Sequence, residues 1–553
     1  MNPDLQKCIA LMNKPDHTSK FVALAILPTL LTHQKYNDEQ NSDDLVQIAV
    51  NILFSFAGFE KIATSKQLSE RIPKLLDLLH KEQIRSTVLE ILVRGATSPE
   101  AVPVYFQHDR LERFWDNILQ SGILAGVDRL DEPSTGLQTM TYIILNSSTI
   151  PEYADRLKGK LGYIIEKCLQ VNPSTLILEF LADILNRIDA ELWMYSASQW
   201  TDSLYTTLAQ ITLHHPDGNT RSHLSSIISI ILRQQGPLFL FKSPVTPEHK
   251  KFALLTVSLS TVNIRSTLPS LSNRLSQYPT LANRLAADYD ILTSAIQYLT
   301  DDEMDIDFFD PDSLVKLGEN LNNAFGDTIE FLRDRWDAAR RAASLDTESV
   351  QIEWDTPSGI IRDVVTISSI RSLTYWLRED EGLRSQALGI MDILLDVFNE
   401  GLDQGIDYRG WVCSGIEGLI MAKNGREIFL KENGWNVIWN DLEKSLVSNA
   451  DSLDLAECQV RILSLIVEQG DISRDEWISA ARFVVGQYAQ NPQFQLKHNL
   501  VLLSFKIWEK LPRHSKILEK SLKNDLVALG NDVLDQTNIS DDCLQNIRKY
   551  ISS

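Results

Sequence analysis

The chain has 553 residues, with 53 Lys+Arg against 74 Asp+Glu and a formal net charge of −21. Hydrophobic residues make up 44% and charged residues 23%, an ordinary core-forming composition that excludes a collagen-like or fully disordered chain. The acidic balance argues against nucleic-acid phosphates and anionic membrane surfaces as main partners, because both attract concentrated Lys and Arg. We therefore expect no nucleic-acid binding and no integral membrane association.

Helical periodicity runs along almost the whole chain. The longest apolar run, residues 21–31, contains a proline and is about half as long as a bilayer-spanning helix, so it predicts a buried helix. Residues 66–80 place Ile72, Leu75 and Leu79 at spacings of three to four, which predicts one amphipathic helix. Further helices are predicted at 83–94, 132–146, 152–170, 175–188, 218–233, 382–400, 434–447, 453–468, 473–488, 492–510 and 512–529.

Two segments interrupt this pattern. Residues 237–249 contain three prolines and predict a loop. Residues 301–312 read DDEMDIDFFDPD, with seven carboxylates and no basic residue, and a long helix is predicted directly after them, over about 312–343. We expect this acidic segment to be an exposed, mobile loop between two helical-repeat parts, 1–300 and 313–553.

Many helices of moderate length joined by short turns predict a fold in which helix pairs stack on one another. Strand signals are almost absent, and a single helix pair cannot bury its apolar face alone, so neighbouring pairs must stack. Residues 51–80 and 417–443 both run from an apolar helix through a short helix and a polar turn to a longer helix, with Gly434 at the expected tight turn. The predicted class is an all-α, armadillo/HEAT-like helical-repeat solenoid.

The acidic segment is the first candidate for a binding site. A calcium loop needs Gly at its sixth position and Glu at its twelfth, and neither is present, so no metal site is predicted. A solvated loop is the favoured interpretation. The next alternative is a docking element, whose apolar side chains lie on a partner or fold back on the protein's own groove. Its candidate partner-binding residues are Asp305, Asp307, Phe308 and Phe309.

Four other residues are candidate partner contacts. Arg333 and Arg335 belong to the densest basic stretch, which Asp334 and other acidic residues interrupt. Trp435 and Trp439 are four residues apart on one helix face. Aromatic side chains can line a peptide groove, but core packing between stacked helices is the favoured explanation for both tryptophans.

Motifs that would indicate an enzyme are missing from the sequence. There is no G-x-S-x-G, no phosphate-binding glycine loop and no H-E-x-x-H, so we expect no catalytic activity and no cofactor. The five cysteines are dispersed and form no C-x-x-C pair, which is typical of reduced thiols in a cytosolic protein. The first residues lack a basic region followed by an apolar stretch, so a cytoplasmic location is expected.

Several short motifs resemble one family in chain order. They are Ser19–Leu24, Arg71–Pro73, the helix pair at 370–377 and 383–398, and Gly425–Gly434, in which an Arg-Glu pair leads through aliphatic residues to a glycine turn. Together they are similar to the neurochondrin family. The resemblance implies a cytoplasmic, non-catalytic armadillo/HEAT-type scaffold. Animal members are associated with neurite outgrowth, regulation of a calmodulin-dependent kinase and binding of receptor tails.

Two functions are consistent with these features. The first is an interaction scaffold that presents an extended helical surface to a protein or peptide, which the net charge predicts to be basic or neutral. The alternative is an assembly or transport factor, importin-like or chaperone-like, that binds and releases a client protein. No feature of the sequence indicates a particular oligomeric state.

Overall fold

The computed structural model contains only helices within the part of the chain that it describes. That part comprises residues 7, 10–11, 39–122, 131–170, 174–214, 216–242, 246–301, 308–344, 357–448, 453–470, 475–490, 497–512, 516, 520–534 and 541–552. Every regular element in these ranges is an α-helix or a short 3-10 helix, and no strand occurs there. The predicted all-α class is confirmed.

Contacts divide the chain into two compact units, residues 1–234 and 235–553. The described residues of the acidic segment, Asp301 and 308–312, lie inside the second unit, and the two helical-repeat parts 1–300 and 313–553 stay a prediction. The helices of the first unit are α1 Glu39–Ala57, α2 Glu60–Ala63, α3 Lys66–Ser69, α4 Ile72–Asp77, α5 Glu82–Ala96, α6 Val102–Tyr105, α7 Arg110–Gly122, α8 Asp131–Thr149, α9 Pro151–Gln170, α10 Thr175–Arg187, α11 Ala190–Met194, α12 Ala197–Leu213 and α13 Gly218–Gln235, whose last residue reaches the boundary.

The first unit stacks its longer helices in chain order. Helix α1 packs on α5, α5 on α8, α8 on α10, and α9 on α12. Their apolar stripes form an aliphatic core with buried indole rings. Trp193 and Trp200 are both buried, and their ring centroids lie 6.0 Å apart, so both indole rings belong to this core.

The second unit repeats the same arrangement. Its helices are α14 Pro247–Thr267, α15 Tyr278–Thr300, α16 Pro311–Ser344, α17 Pro357–Arg362, α18 Val364–Glu379, α19 Arg384–Ala387, α20 Met391–Glu400, α21 Arg409–Leu419, α22 Lys423–Lys431, α23 Gly434–Ser448, α24 Leu453–Gln469, α25 Asp475–Gln490, α26 Lys497–Lys510, α27 Lys520–Leu534 and α28 Asp541–Ser552. Helices α15, α18, α21, α24 and α26 pack successively on one another. This regular succession confirms the armadillo/HEAT-like helical-repeat class.

Two predicted single helices are broken. Residues 66–80 form α3 and α4 rather than one helix, because Pro73 lies in the first turn of α4 and has no backbone N–H to continue the hydrogen bonds of α3. Residues 382–400 form α19 and α20, separated by a 3-10 turn around Gly389. In contrast, the helix predicted over 312–343 is confirmed as α16, and it begins one residue earlier.

The seam between α18 and α21 is tight. A Cβ atom on Gly418 would lie 2.1 Å from the carbonyl oxygen of Leu377, and one on Gly415 would lie 2.8 Å from Cγ2 of Thr374. Real Cβ atoms do not approach backbone this closely, so these glycines let two helix backbones come together. Buried serines and threonines on α18 complete this small-residue seam.

The turn before α23 differs from its prediction in one detail. Its left-handed residue is Asn433, with φ of 62°, and Gly434 is not in the left-handed region. Asparagine tolerates this conformation better than most residues. Gly434 is instead needed for space, because a Cβ there would lie 2.4 Å from the ring of Phe429.

Among the described residues, none of the helices combines the length and the apolar character that crossing a bilayer requires.

Candidate functional site

A pocket of about 260 Å³ opens in the second unit, where the end of α15, the start of α16 and one side of α18 meet. Its walls are mainly aromatic and aliphatic, and its polar lining comes from Thr300 and Asp301. The lining residues are Tyr298, Leu299, Thr300, Asp301, Phe308, Phe309, Leu314, Leu317, Gly318, Leu321 and Trp376.

An aromatic cluster forms the inner wall. Tyr298 stacks on Phe241 with ring centroids 4.2 Å apart, and Phe308 meets Phe241 edge-on at 5.4 Å. Phe309 lies 4.9 Å from Phe308 in a second edge-to-face contact. Such tilted and offset pairs add stabilisation beyond the area that they bury. The inner wall is therefore a packed aromatic cluster.

The opposite wall is held by α16 and α18. Trp376 donates its indole N–H to Oδ1 of Asn322 at 2.7 Å, which fixes the ring over the pocket. Gly318 is half-buried on α16, and a Cβ built on it would meet no heavy atom within 4 Å. Because Gly318 lines the pocket, this open space adjoins it.

Asp310 starts helix α16. Its carboxylate accepts hydrogen bonds from the backbone N–H of Ser313 at 2.9 Å and from the Ser313 hydroxyl at 2.7 Å. This is the geometry of an N-cap, with Pro311 at the first helical position. The Ser313 donors hold the pKa of Asp310 below its usual value. One carboxylate of the acidic segment thus has a structural role that the Asp-Pro-Asp-Ser sequence could have revealed.

The structure corrects one expectation for the acidic segment. Phe308 and Phe309 are 1% and 5% exposed, so the prediction that residues 301–312 are exposed throughout is wrong at these two positions. Apolar side chains beside carboxylates were free to fold back on the chain, and here they pack on the aromatic cluster. Asp305 and Asp307 lie outside the described residues, and their role in partner binding stays a prediction.

Arg333 lies in an ion-pair ladder between α16 and α20. It contacts Asp392 through two bonds of 3.1 and 2.5 Å, and Arg340 contacts Asp392 and Asp396, each at 2.6 Å. Burial alone would raise the pKa of Asp392, but the hydrogen bonds from Arg333 and Arg340 outweigh it and lower that pKa. The basic stretch is thus matched by acidic residues of the same unit.

Arg335 is part of a buried network. It is 6% exposed and donates to Oδ2 of Asp363 at 2.6 Å, while the Tyr278 hydroxyl donates to Oδ1 of the same carboxylate at 2.6 Å. Asp363 also caps α18 by accepting from the N–H of Thr366. Burial, together with the neighbouring Asp363, raises the pKa of Tyr278. The candidate role of Arg335 in partner contact is wrong, because its head group ties α16 to the start of α18.

Trp435 and Trp439 lie on the buried face of α23. They are 1% and 6% exposed. Trp435 packs on Trp477 with centroids 5.3 Å apart, and Trp439 meets Phe483 edge-on at 5.9 Å. The predicted common face is correct and it faces the core, which agrees with the favoured explanation of core packing rather than with the alternative role in partner binding.

Sequence reasoning missed most of the pocket. Phe241, Tyr298 and Trp376 are far apart in the chain and meet only in the folded unit. The apolar run around Phe241 inside the proline-rich loop 237–249 was a usable signal, because a loop seldom carries buried aromatic residues without a reason. Across the ranges that the structure describes, no cluster of three or more His, Cys, Asp or Glu side chains could hold a metal ion.

The stacked helices define a protein of the helical-repeat class. Within that class, a family model described as Neurochondrin matches residues 20–94 and 171–478. These two stretches cover more than half of the chain and include both the pocket and the seam. The chain therefore belongs to the neurochondrin family, as its motifs predicted.

Similar proteins extend this comparison. An uncharacterized protein of Schizosaccharomyces pombe is 22% identical over 467 residues, which cover 80% of this chain and 76% of that protein. A crystal structure of SYS-1 has a TM-score of 0.39 at 12% identity, covering 99% of this chain and 92% of that one. A crystal structure of She4p has a TM-score of 0.40 at 13% identity, covering 100% and 70%.

Proposed function

We propose that this protein is a non-catalytic interaction scaffold whose second unit binds an extended segment of a partner protein. One apolar side chain of that segment enters the pocket lined by Tyr298, Phe309, Gly318 and Trp376. Basic residues beside this side chain face the acidic segment. The observation that carries the proposal is the pocket itself, an apolar cavity whose lining includes Asp301, Phe308 and Phe309, three described residues of the acidic segment.

The size of the pocket favours a side chain over a cofactor. Sites for drug-sized ligands and cofactors enclose about 300–1,000 Å³. The pocket encloses about 260 Å³ and is open on one side, so it suits one large apolar side chain that remains attached to a peptide. Buried aromatic or aliphatic anchors of this kind dominate the energy of many protein interfaces.

Charge favours a basic partner. Asp301 lines the pocket, Asp310 and Asp312 are exposed beside it, and residues 301–312 carry seven carboxylates and no basic residue. The net charge of −21 adds a long-range field of the same sign. Such a field steers a basic segment toward the site and raises its rate of association more than its final affinity.

Family membership and the helical-repeat fold support the scaffold part of the proposal. Repeat folds bind partners over extended surfaces, and one anchor with flanking charges gives a weak, transient contact that further contacts can strengthen. A cytoplasmic location belongs to the same proposal. It is supported by three free thiols, at Cys168, Cys413 and Cys458.

The test is a selection of random displayed peptides on the full-length protein. We expect the selected peptides to share one Leu, Ile, Phe or Trp flanked by Lys or Arg. Their affinities, measured by fluorescence anisotropy, should fall several-fold when ionic strength rises from about 0.05 to about 0.2 M. Selected peptides that are acidic, or whose binding does not respond to salt, would contradict the charge argument.

The variant Gly318→Leu tests whether the peptide binds in the pocket or on another surface. The new side chain occupies the open space and removes a helical glycine, so binding should fall at least tenfold, or about 1.4 kcal/mol, in a protein that is no less stable. Gly159→Leu is the matched control, because Gly159 also lies inside a helix with nothing within 4 Å of a built Cβ. Equal binding by both variants would place the peptide outside the pocket.

A further inference from the structure

Two cysteines lie side by side in the second unit, away from the pocket. Cys413 is on α21 and Cys458 is on α24, and these helices pack against each other. The two thiols are hydrogen-bonded to one another. Cys413 is fully buried, whereas Cys458 is partly exposed. Solvent therefore reaches one sulfur, and the second sulfur lies behind it.

An ion pair holds these helices in register beside the thiols. Arg461 donates to both carboxylate oxygens of Glu417, at 2.5 and 3.0 Å. Glu417 follows Cys413 by one helical turn, and Arg461 follows Cys458 by three residues, so the two contacts form successive rungs between α21 and α24. On the other side, Arg409 contacts Asp441 at 3.3 Å.

The surroundings give the two sulfurs different reactivity. The hydrogen bond from Cys413 lowers the pKa of Cys458, the positive charge of Arg461 and a hydrogen bond from it act in the same direction, and burial and Glu417 oppose them. The hydrogen bond to Cys458, together with burial, raises the pKa of Cys413, and Asp441 adds to this while Arg409 opposes it. Because Cys458 is partly exposed and Cys413 is fully buried, Cys458 is the sulfur that an oxidant in solution reaches first.

We propose that Cys413 and Cys458 form a peroxide-sensitive modification site that closes to a disulfide between α21 and α24. The hydrogen-bonded contact already brings the sulfur atoms together, and a disulfide needs them to approach to about 2.05 Å. No residue of the pocket takes part, so this site is independent of the proposed peptide binding.

The reaction has two balanced steps with hydrogen peroxide as oxidant. The Cys458 thiolate attacks one peroxide oxygen; the S–O bond forms, the O–O bond breaks, and hydroxide leaves and takes a proton from solvent. The Cys413 sulfur then attacks the sulfenic sulfur of Cys458; the S–S bond forms, the S–O bond breaks, and the oxygen leaves as water with the proton of Cys413. The dithiol loses two electrons, and peroxide is reduced to two waters.

The experiment treats the full-length protein with hydrogen peroxide, blocks remaining thiols, digests it without reduction and identifies peptides by mass spectrometry. We expect a linked peptide pair containing Cys413 and Cys458 that dithiothreitol separates. In the same molecule Cys458 should react roughly a hundredfold faster or more than Cys168, whose burial raises its pKa. This comparison needs no variant.

Two substitutions test the order of the steps. Cys413→Ser should leave a sulfenic acid on Cys458 that dimedone traps, with no linked pair. Cys458→Ser should leave Cys413 unmodified, because it is buried. Cys168→Ser should form the linked pair of Cys413 and Cys458 to the same extent as the protein without substitutions. The proposal is overturned if no linked pair forms while Cys458 is oxidised, or if Cys458 and Cys168 react at the same rate.

Discussion

The seam between α18 and α21 and the pocket beside α16 each contain a helical glycine, and these two glycines have opposite surroundings. A Cβ on Gly418 in the seam would meet the Leu377 carbonyl oxygen at 2.1 Å, whereas a Cβ on Gly318 in the pocket would meet nothing within 4 Å. Packing explains the first glycine and does not explain the second. Open space alone does not mark a binding site, since a Cβ on Gly159 would also meet nothing within 4 Å. Gly318 differs from Gly159 because it lines the pocket.

The charged residues also differ between the packed part of the second unit and the pocket. Arg333, Arg335 and Arg340 all contact acidic side chains of their own unit, at 3.1 Å or less. Residues 301–312 contain no basic residue, and three of those that the structure describes, Asp301, Phe308 and Phe309, line the open pocket. A charged stretch in a sequence therefore predicts a binding surface only after the fold has shown which charges it already pairs.

The largest expected loss of stability comes from breaking the buried ion pair between Arg335 and Asp363. Arg335→Ala leaves the Asp363 carboxylate buried without its guanidinium, and breaking a buried ion pair costs about 3–5 kcal/mol. Urea denaturation should show this loss in the transition of the second unit. Arg341→Ala, at an exposed position on the same helix, should change stability by less than about 0.5 kcal/mol. A similar effect of both variants would contradict the structural role of Arg335.

The seam should respond next most strongly. Gly418→Ala forces α18 and α21 apart, and overpacking of this kind costs about 1–3 kcal/mol. Gly410→Ala lies on the same helix, where a built Cβ has open space, and should be neutral or slightly stabilising. Thermal unfolding of the two variants measures the difference. Equal melting temperatures would mean that the seam is not tight.

The pocket glycine should respond in the opposite direction. Gly318→Ala removes the conformational freedom of a helical glycine without a clash, so we expect a gain of about 0.5–1 kcal/mol. Its small methyl group leaves most of the pocket open, and peptide binding should persist. Destabilisation by this variant, seen in the same unfolding measurement, would show that the space beside Gly318 is already filled.

The smallest effect concerns pH. Because Arg333 and Arg340 lower the folded-state pKa of Asp392 below the ordinary value of 3.8, the ion-pair ladder contributes stability above that value. The contribution is lost as pH falls through the lower folded-state pKa. Asp392→Asn should therefore show a shallower fall in melting temperature between pH 6 and pH 3. If the melting temperature of Asp392→Asn falls with pH as steeply as that of the original protein, the ion-pair ladder does not contribute to the pH dependence of stability.

The sequence predicted the helices better than their contacts. Helix α16 was predicted within one residue at each end, since its periodicity and its start signal are local. Residues 66–80 were predicted less well, because Pro73 outweighed a continuous apolar stripe. The pocket could not be predicted, since Phe241, Tyr298 and Trp376 come from three distant segments. Arg335 was misassigned because composition does not reveal which side of a helix faces the core.

The most direct test of the central claim is photo-crosslinking of a selected peptide. A peptide that carries benzoylphenylalanine in place of its apolar anchor is irradiated with the full-length protein, and the attachment sites are mapped by mass spectrometry. The account predicts attachment at Tyr298, Leu317 or Trp376, and its loss in Gly318→Leu but not in Gly159→Leu. Attachment elsewhere, with the same yield in both variants, would contradict it.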